Sequence, residues 1–179
     1  MPSMLLLLGV WMAFDLSFMF VKGLETINQM MYSICIIEFA VISRIFYLLF
    51  KHPYLKFLAV FFFVLYAILW LVRFPLQSWK TFPDFETLIE CIFVVVLSII
   101  GFLQYMLSDA NTFIERDPYF WFLSSMLIYF GAGIFVFGYR NFFIQDNAPA
   151  GQGIWYFQMI MNTIHALILI IGISQVRKA

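Results

Sequence analysis

Residues 115–138 read ERDPYFWFLSSMLIYFGAGIFVFG, and this stretch decides the fold. Asp117 is of a type that caps helices, and Pro118 fits the first turn of a helix. The residues that follow are aromatic, and Tyr and Trp are enriched where a helix crosses the membrane–water interface. The stretch therefore predicts a membrane-spanning helix that begins at about residue 118 and continues to about residue 138.

Small residues recur on two faces of this predicted helix, and small residues let neighbouring helices approach closely. The first face has a seven-residue spacing and consists of Ser124, Gly131 and Gly138. The second face consists of Ser125, Tyr129, Ala132 and Gly133. We therefore expect the helix to lie at the centre of a bundle, with helix packing at Ser124, Gly131 and Gly138.

The composition requires lipid as the solvent. In this chain of 179 residues, 64% are hydrophobic and 11% are charged, which is too little polar surface to cover a soluble domain. Apolar runs of about 20 residues recur, and each is long enough to cross a hydrocarbon core of roughly 30 Å. The formal net charge is zero. We therefore expect the lipid bilayer, and not nucleic acid, as a partner.

The predicted fold class is all-α, a polytopic transmembrane helix bundle that forms a single domain over residues 1–179. Its six spans lie at about residues 3–21, 29–50, 55–72, 86–107, 118–138 and 153–174. The first span has no basic n-region and no small-residue cleavage site, so we expect a retained helix and not a signal peptide. Polar segments at 74–85, 108–116 and 139–152 are predicted to be loops.

The positive charges give a direction to this topology. If both termini share a side, that side holds six Lys and Arg residues: Arg44, Lys51, Lys56, Arg116, Arg177 and Lys178. The opposite side holds four, which are Lys22, Arg73, Lys80 and Arg140. Because cytoplasmic loops carry the excess of positive charge, we expect both termini in the cytoplasm.

Ionisable residues within the spans are the candidate functional residues, because a charge at the bilayer centre costs at least ~2.5–3.5 kcal/mol and needs a partner. Glu38 lies near the middle of the second span. One interpretation is a carboxyl group that bonds to Asn162 or Tyr129 and only holds helices together. The other is a ligand, ion or proton site open to the outer side. Both stay open.

The fourth span begins with two acids one turn apart. Their face consists of Glu86, Glu90, Val94, Leu97, Gly101 and Gln104. Because Glu90 lies about one turn below the expected surface, we interpret it as a water-exposed acid or as a member of a site. Glu86 is expected to be more exposed still.

The sixth span carries a polar stripe at spacings of three, four and three: Trp155, Gln158, Asn162 and His165. We expect His165 to be hydrogen-bonded within the bundle, since the other histidine, His52, lies at the cytoplasmic end of another helix and one histidine does not make a metal or haem site. The sequence therefore predicts no metal site and no cofactor. It has none of the common catalytic motifs either, so we expect no catalytic residues and no enzymatic activity.

The candidate site is a polar pocket in the outer half of the membrane. Four side chains at similar depth are expected to converge there: Glu38, Glu90, Tyr129 and Asn162. Gln158 and His165 on the sixth span are further candidates for the pocket. Cys35 and Cys91 lie in apolar runs, where we expect them to behave as small hydrophobic residues.

Three stretches form a pattern: residues 37–39 (IEF), residues 87–91 (TLIEC) leading into Leu97-Ser98, and residues 115–121 (ERDPYFW) followed by 127–131 (LIYFG). This pattern resembles a widespread family of bacterial polytopic membrane proteins with six or seven helices, found chiefly in the Bacteroidota. Asn162, seven residues after Trp155, is similar to the family's last helix. The resemblance covers roughly residues 29–172.

The family occurs as short stand-alone proteins and as the membrane part of sensor histidine kinases. The resemblance implies a place in the bacterial inner membrane. This chain ends five residues after its last predicted helix, so we expect it to carry no kinase. Gln158 stands where the family often has His, which argues against a histidine-dependent site.

Three functions are open at this point. The first is a sensory or regulatory membrane module that binds a small ligand and acts on a membrane protein partner or within a homo-oligomer. The second is a structural subunit of a larger envelope complex. A small-molecule or ion transporter is less favoured, because the sequence has no inverted repeat and no interrupted helix.

Overall fold

The computed structural model describes residues 9, 23–76, 83–107, 117–146 and 148–176, and within them the chain is all-α with no strand. The helices are α1 (Leu24–Leu49), α2 (Pro53–Arg73), α3 (Asp84–Leu107), α4 (Pro118–Asp146) and α5 (Ala148–Val176). A short 3-10 turn, Phe74–Leu76, follows α2. The predicted fold class is confirmed. The first predicted span, 3–21, lies outside the described residues except for Gly9.

All five described helices are long and apolar enough to cross a membrane. Their spanning segments are Glu25–Leu49, Pro53–Leu76, Asp84–Leu107, Pro118–Tyr139 and Tyr156–Gln175. These segments agree with the second to sixth predicted spans to within a few residues. The protein is an integral membrane protein.

The predicted loop at 139–152 is wrong for most of its length. Helix α4 continues to Asp146, and α5 begins at Ala148. Residues 139–146 contain neither Gly nor Pro, so nothing in the sequence interrupts the helix there. Pro149 lies in the first turn of α5, where a proline is tolerated because its missing N–H has no helical partner.

The chain divides into two compact units, with the division between Glu90 and Cys91 inside α3. The first unit contains α1, α2 and the first turns of α3. The second contains the rest of α3 together with α4 and α5. The expectation of a single domain over residues 1–179 stays a prediction.

In the first unit, α1 and α2 are antiparallel and pack against each other. The inner face of α1 is spaced by threes and fours and is buried: Asn28, Tyr32, Cys35, Phe39, Ile42 and Phe46. Helix α2 buries only Ala59 and Tyr66, and the edge of the Tyr66 ring meets Phe39 at a centroid distance of 4.8 Å. About half of the remaining residues of α2 are exposed, and nearly all of these are apolar.

In the second unit, α4 packs along α5, and the closest approaches occur at glycines. A Cβ atom added to Gly172 of α5 would lie 2.8 Å from Cβ of Trp121 and 3.4 Å from the carbonyl oxygen of Pro118. A Cβ added to Gly133 would lie 2.7 Å from Sγ of Cys91. Helix α5 therefore passes the start of α4 at a distance that only glycine permits at position 172.

The predicted helix packing at Ser124, Gly131 and Gly138 stays a prediction. Gly138 is exposed, and among the described residues no atom lies within 4 Å of a Cβ added to Gly131. The tightly packed residues of α4 lie on other faces of the helix, among them Phe122, Leu123, Met126, Phe130 and Gly133. The sequence shows small residues on two faces but does not show which of them meets a neighbour.

The two kinds of glycine give a matched test of this packing. Gly172→Ala forces the α4 and α5 backbones apart, because Cβ of Trp121 cannot move without its main chain, and we expect a loss of about 1–3 kcal/mol. Gly131→Ala adds a methyl group in open space, and we expect no loss, since alanine favours the helix. Unfolding of both variants in detergent, followed by circular dichroism, measures the difference. Equal stability of the two variants would contradict the contact at Gly172.

Candidate functional site

Two contacts hold the first unit together at the end of α2. The first, called the aromatic anchor, joins Tyr32 and Trp70 by two hydrogen bonds. The Tyr32 hydroxyl donates to the Trp70 carbonyl oxygen at 2.6 Å, and the Trp70 indole N–H donates to the Tyr32 carbonyl oxygen at 2.9 Å. The rings lie 5.1 Å apart, and Phe74 packs against both of them. Because the bonds are reciprocal, they fix the register of α1 on α2.

The second contact, called the ion-pair anchor, joins Arg73 at the end of α2 to Glu86 in the first turn of α3. Nε of Arg73 donates to Oε1 of Glu86 at 2.5 Å, and the guanidinium lies over the Phe85 ring. Arg73 lies at a helix C-terminus and Glu86 at a helix N-terminus, so both charges also suit the helix dipoles. The Glu86 side chain is 3% exposed, whereas that of Arg73 is 41% exposed.

Glu90 lies one turn further along α3 and is 1% exposed. Its carboxyl group is close enough to interact with the Cys35 thiol, the Tyr66 hydroxyl and the Glu38 carboxyl group. Thr87, on the same helix, approaches Cys35 with 3.6 Å between Oγ1 and Sγ. These side chains come from α1, α2 and α3, and all of them belong to the first unit.

Two oxygen atoms of this cluster have no hydrogen-bond partner among the described residues. They are Oε1 of Glu90 and the hydroxyl oxygen of Tyr66, and both are buried. The Glu90 carboxyl group interacts with the Tyr66 and Cys35 side chains. Buried polar atoms are nearly always hydrogen-bonded, and leaving one unsatisfied costs about 1–3 kcal/mol. Among the described residues, Oε1 of Glu90 therefore keeps an unused capacity to accept a hydrogen bond.

The exposure expected for the two acids of α3 is corrected by these observations. Glu86 was expected to be the more exposed acid and is instead buried in an ion pair. Glu90 is not a water-exposed acid. The physical reason is that the predicted face of α3 does pack inward: Glu86, Glu90, Val94 and Leu97 are all at most 3% exposed. The expected distance of Glu86 and Glu90 from the membrane surface therefore did not determine how exposed their side chains are.

In the second unit, a histidine is held by the main chain. His165 is fully buried, and its Nδ1 lies 3.1 Å from the Ser125 carbonyl oxygen. The Tyr129 ring packs against the imidazole with 4.8 Å between centroids. Gln158, two turns earlier on α5, has a buried Oε1 without a hydrogen-bond partner in the part of the chain that the structure describes. This arrangement joins α4 to α5.

The expected polar stripe of α5 does not face one environment. His165 is buried and Gln158 is half-buried, but Asn162 between them is exposed. Since Glu38 and Glu90 belong to the first unit and Tyr129 and Asn162 to the second, the convergence of these four residues stays a prediction. The structure brings Glu38 together with Glu90, and Tyr129 together with His165.

Three side chains of the candidate site were missed in the sequence. Tyr66 is the one buried polar side chain of α2, and a single tyrosine in a run of apolar residues forms no periodic signal. Cys35 was expected to behave as a hydrophobic residue. Arg73 was counted only among the positive charges that set the topology. The available signal was the pair Arg73 and Glu86, since two opposite charges flank a short connection between spans.

Comparison with known proteins finds no matching family model, no matching curated protein and no matching solved structure. The chemistry of the cluster itself therefore carries the functional argument.

The ion-pair anchor generates a stability prediction. Arg73→Met leaves the buried Glu86 carboxylate without its cation, and we expect a loss of about 1–3 kcal/mol. The value lies below that of a fully buried pair because water still reaches Arg73. Arg44→Met, at an exposed position of α1, is the matched control and should change stability little. Denaturation in detergent measures both; equal effects would mean that the ion pair contributes nothing.

Proposed function

We propose that the protein is a sensory or regulatory module of the bacterial inner membrane that binds a small ligand within its first unit. One observation carries this proposal: Glu90 is 1% exposed, and its Oε1 has no hydrogen-bond partner among the described residues. An ionisable residue inside a membrane is by default a functional candidate, because its insertion is costly. A ligand that satisfies Glu90 changes the contacts among α1, α2 and α3, and a partner protein responds to that change.

A purely structural role for this cluster is less well supported. Polar side chains that only hold helices together make hydrogen bonds across the helix interface, since that is the source of their stabilisation. The anchors of the first unit fit that description, as does His165 bonded to the Ser125 carbonyl oxygen. Glu90 and Tyr66 fit it less well, because a buried oxygen of each has no hydrogen-bond partner among the described residues. The structural-subunit hypothesis therefore draws its support from the second unit.

The resemblance to the membrane parts of sensor histidine kinases supports the same proposal, because TLIEC at 87–91 contains Glu90. It also supports the inner membrane as the location. The distribution of Lys and Arg supports an orientation with both termini in the cytoplasm. In this orientation the anchors lie near the outer surface, so the ligand reaches Glu90 from outside.

The proposed function is tested by a conformational response to substitution at Glu90. In lipid nanodiscs, Glu90→Gln keeps the side-chain shape but supplies an amide, and we expect hydrogen exchange of α1 and α2 backbone amides to change by about fivefold or more, the lower end of typical coupling energies. Glu25→Gln, at an exposed position in the first turn of α1, is the control and should behave as wild type. A lower melting temperature with an unchanged exchange pattern would support the structural subunit instead.

The orientation is tested by labelling the two ends of α1. Glu25→Cys and His52→Cys place thiols at exposed positions on opposite sides of the membrane, while both native cysteines are buried. A membrane-impermeant maleimide added to intact cells should modify Glu25→Cys and leave His52→Cys unmodified until the membrane is opened. Modification of His52→Cys alone would reverse the topology.

A further inference from the structure

Positive charge is concentrated at the end of the first unit that lies opposite the two anchors. Arg44 lies near the end of α1, Lys51 in the connection between the helices and Lys56 in the first turn of α2. Residues 39–83 contain no Asp or Glu. In the part of the chain that the structure describes, neither Arg44 nor Lys56 forms an ion pair with a carboxylate. The chain from 39 to 83 therefore supplies this end of the unit with cations and no acid.

A tyrosine joins two of these cations on one face of the unit. Arg44 and Tyr47 are three residues apart on α1, so their side chains are neighbours on the helix surface. Nζ of Lys56, from α2, lies over the Tyr47 ring at 5.5 Å from its centre. Arg44 and Tyr47 are exposed, and Lys56 is half-buried. The packing of α1 on α2 thus places a cation on either side of one exposed tyrosine, and these three residues are called the basic cluster.

The basic cluster lies at the level of the lipid headgroups. Arg44 is five residues before the end of α1 and Lys56 is three residues after the start of α2, or about 7.5 Å and about 4.5 Å along the helix axes. Long cationic side chains near helix ends extend toward the membrane interface. Closer to the membrane centre, the exposed Phe57 and Phe61 rings of α2 stack with 6.3 Å between centroids. Positive charge at headgroup level is thus continued by an apolar surface that faces lipid.

We propose that the basic cluster binds the phosphate of an anionic phospholipid whose headgroup carries no ammonium group. The Arg44 guanidinium and the Lys56 ammonium donate charge-assisted hydrogen bonds to phosphate oxygens, and an acyl chain lies along Phe57 and Phe61. A zwitterionic headgroup brings a cation of its own, which the cluster repels. With the orientation proposed above, the lipid belongs to the cytoplasmic leaflet, where basic sites between membrane helices bind anionic headgroups. The inference does not depend on the ligand-binding function proposed above.

Native mass spectrometry of the detergent-purified protein, titrated with lipid, tests this inference. A Lys or Arg near the membrane surface contributes about fivefold to the binding of anionic lipid. We therefore expect the first molecule of phosphatidylglycerol to bind about fivefold or more tightly than the first molecule of phosphatidylcholine. Arg44→Gln and Lys56→Gln should each weaken phosphatidylglycerol binding by about fivefold and leave phosphatidylcholine binding unchanged.

Two further variants separate charge from structure. Arg140→Gln removes a positive charge from the second unit, and as the matched control it should bind both lipids as the wild type does. The double exchange of Arg44→Lys with Lys56→Arg keeps both charges and should keep the preference for phosphatidylglycerol. This exchange covers the case that a glutamine variant folds poorly, which circular dichroism in detergent detects. A preference lost in the well-folded exchange variant would count against charge as its source.

Three other results would overturn the inference. The first is equal affinity of the wild type for the two lipids, or phosphatidylglycerol binding that is unchanged when both glutamine substitutions are combined. The second is displacement of phosphatidylglycerol by millimolar inorganic phosphate, which would make the occupant a soluble anion. The third is a dimer mass that is lost in Arg44→Gln and Lys56→Gln while lipid binding stays the same, which would make this face an interface between copies of the chain.

Discussion

The two anchors of the first unit fix where the side chains of the candidate site lie relative to one another. The aromatic anchor sets the register of α1 on α2, and the ion-pair anchor sets the start of α3 beside the end of α2. Cys35 lies three residues after Tyr32 of the aromatic anchor, and Tyr66 lies four residues before Trp70 of the same anchor. Glu90 lies four residues after Glu86 of the ion-pair anchor. At 1.5 Å per residue all three lie about one helical turn below the anchors. These three side chains therefore lie at one level because the two anchors hold the helices in register.

Both units combine satisfied and unsatisfied buried polar atoms, since Gln158 of the second unit also has a buried Oε1 without a hydrogen-bond partner among the described residues. In the second unit, Nδ1 of His165 bonds to a carbonyl oxygen and the ring is covered by Tyr129, so the group contributes to the packing of α4 on α5. In the first unit, the bonds that stabilise the packing lie in the anchors, and Glu90 is left with an open oxygen. A hydrocarbon environment offers no water to such an atom.

Periodicity predicted most of the fold and one face of the site. Apolar runs located the described helices, and spacing by threes and fours placed Glu86, Glu90, Val94 and Leu97 together on the buried face of α3. Burial itself was not predictable, because it depends on which helix lies opposite. Asn162, which is exposed, and Gly131, whose added Cβ would meet no atom of the described residues, were assigned to the interior for the same reason. Tyr66 was missed because a single polar residue in a run of apolar residues forms no periodic pattern.

Helix α2, which carries Tyr66, Trp70 and Arg73, is otherwise almost entirely apolar and in large part exposed. Its apolar segment with the following turn, Pro53–Leu76, has 24 residues, or roughly 36 Å of helix, which exceeds a hydrocarbon thickness of about 30 Å. A segment of that length accommodates the mismatch by tilting. All three polar side chains tilt with it as one rigid group. A change in bilayer thickness therefore changes the tilt of α2. This tilt moves the side chains next to Glu90 without any ligand.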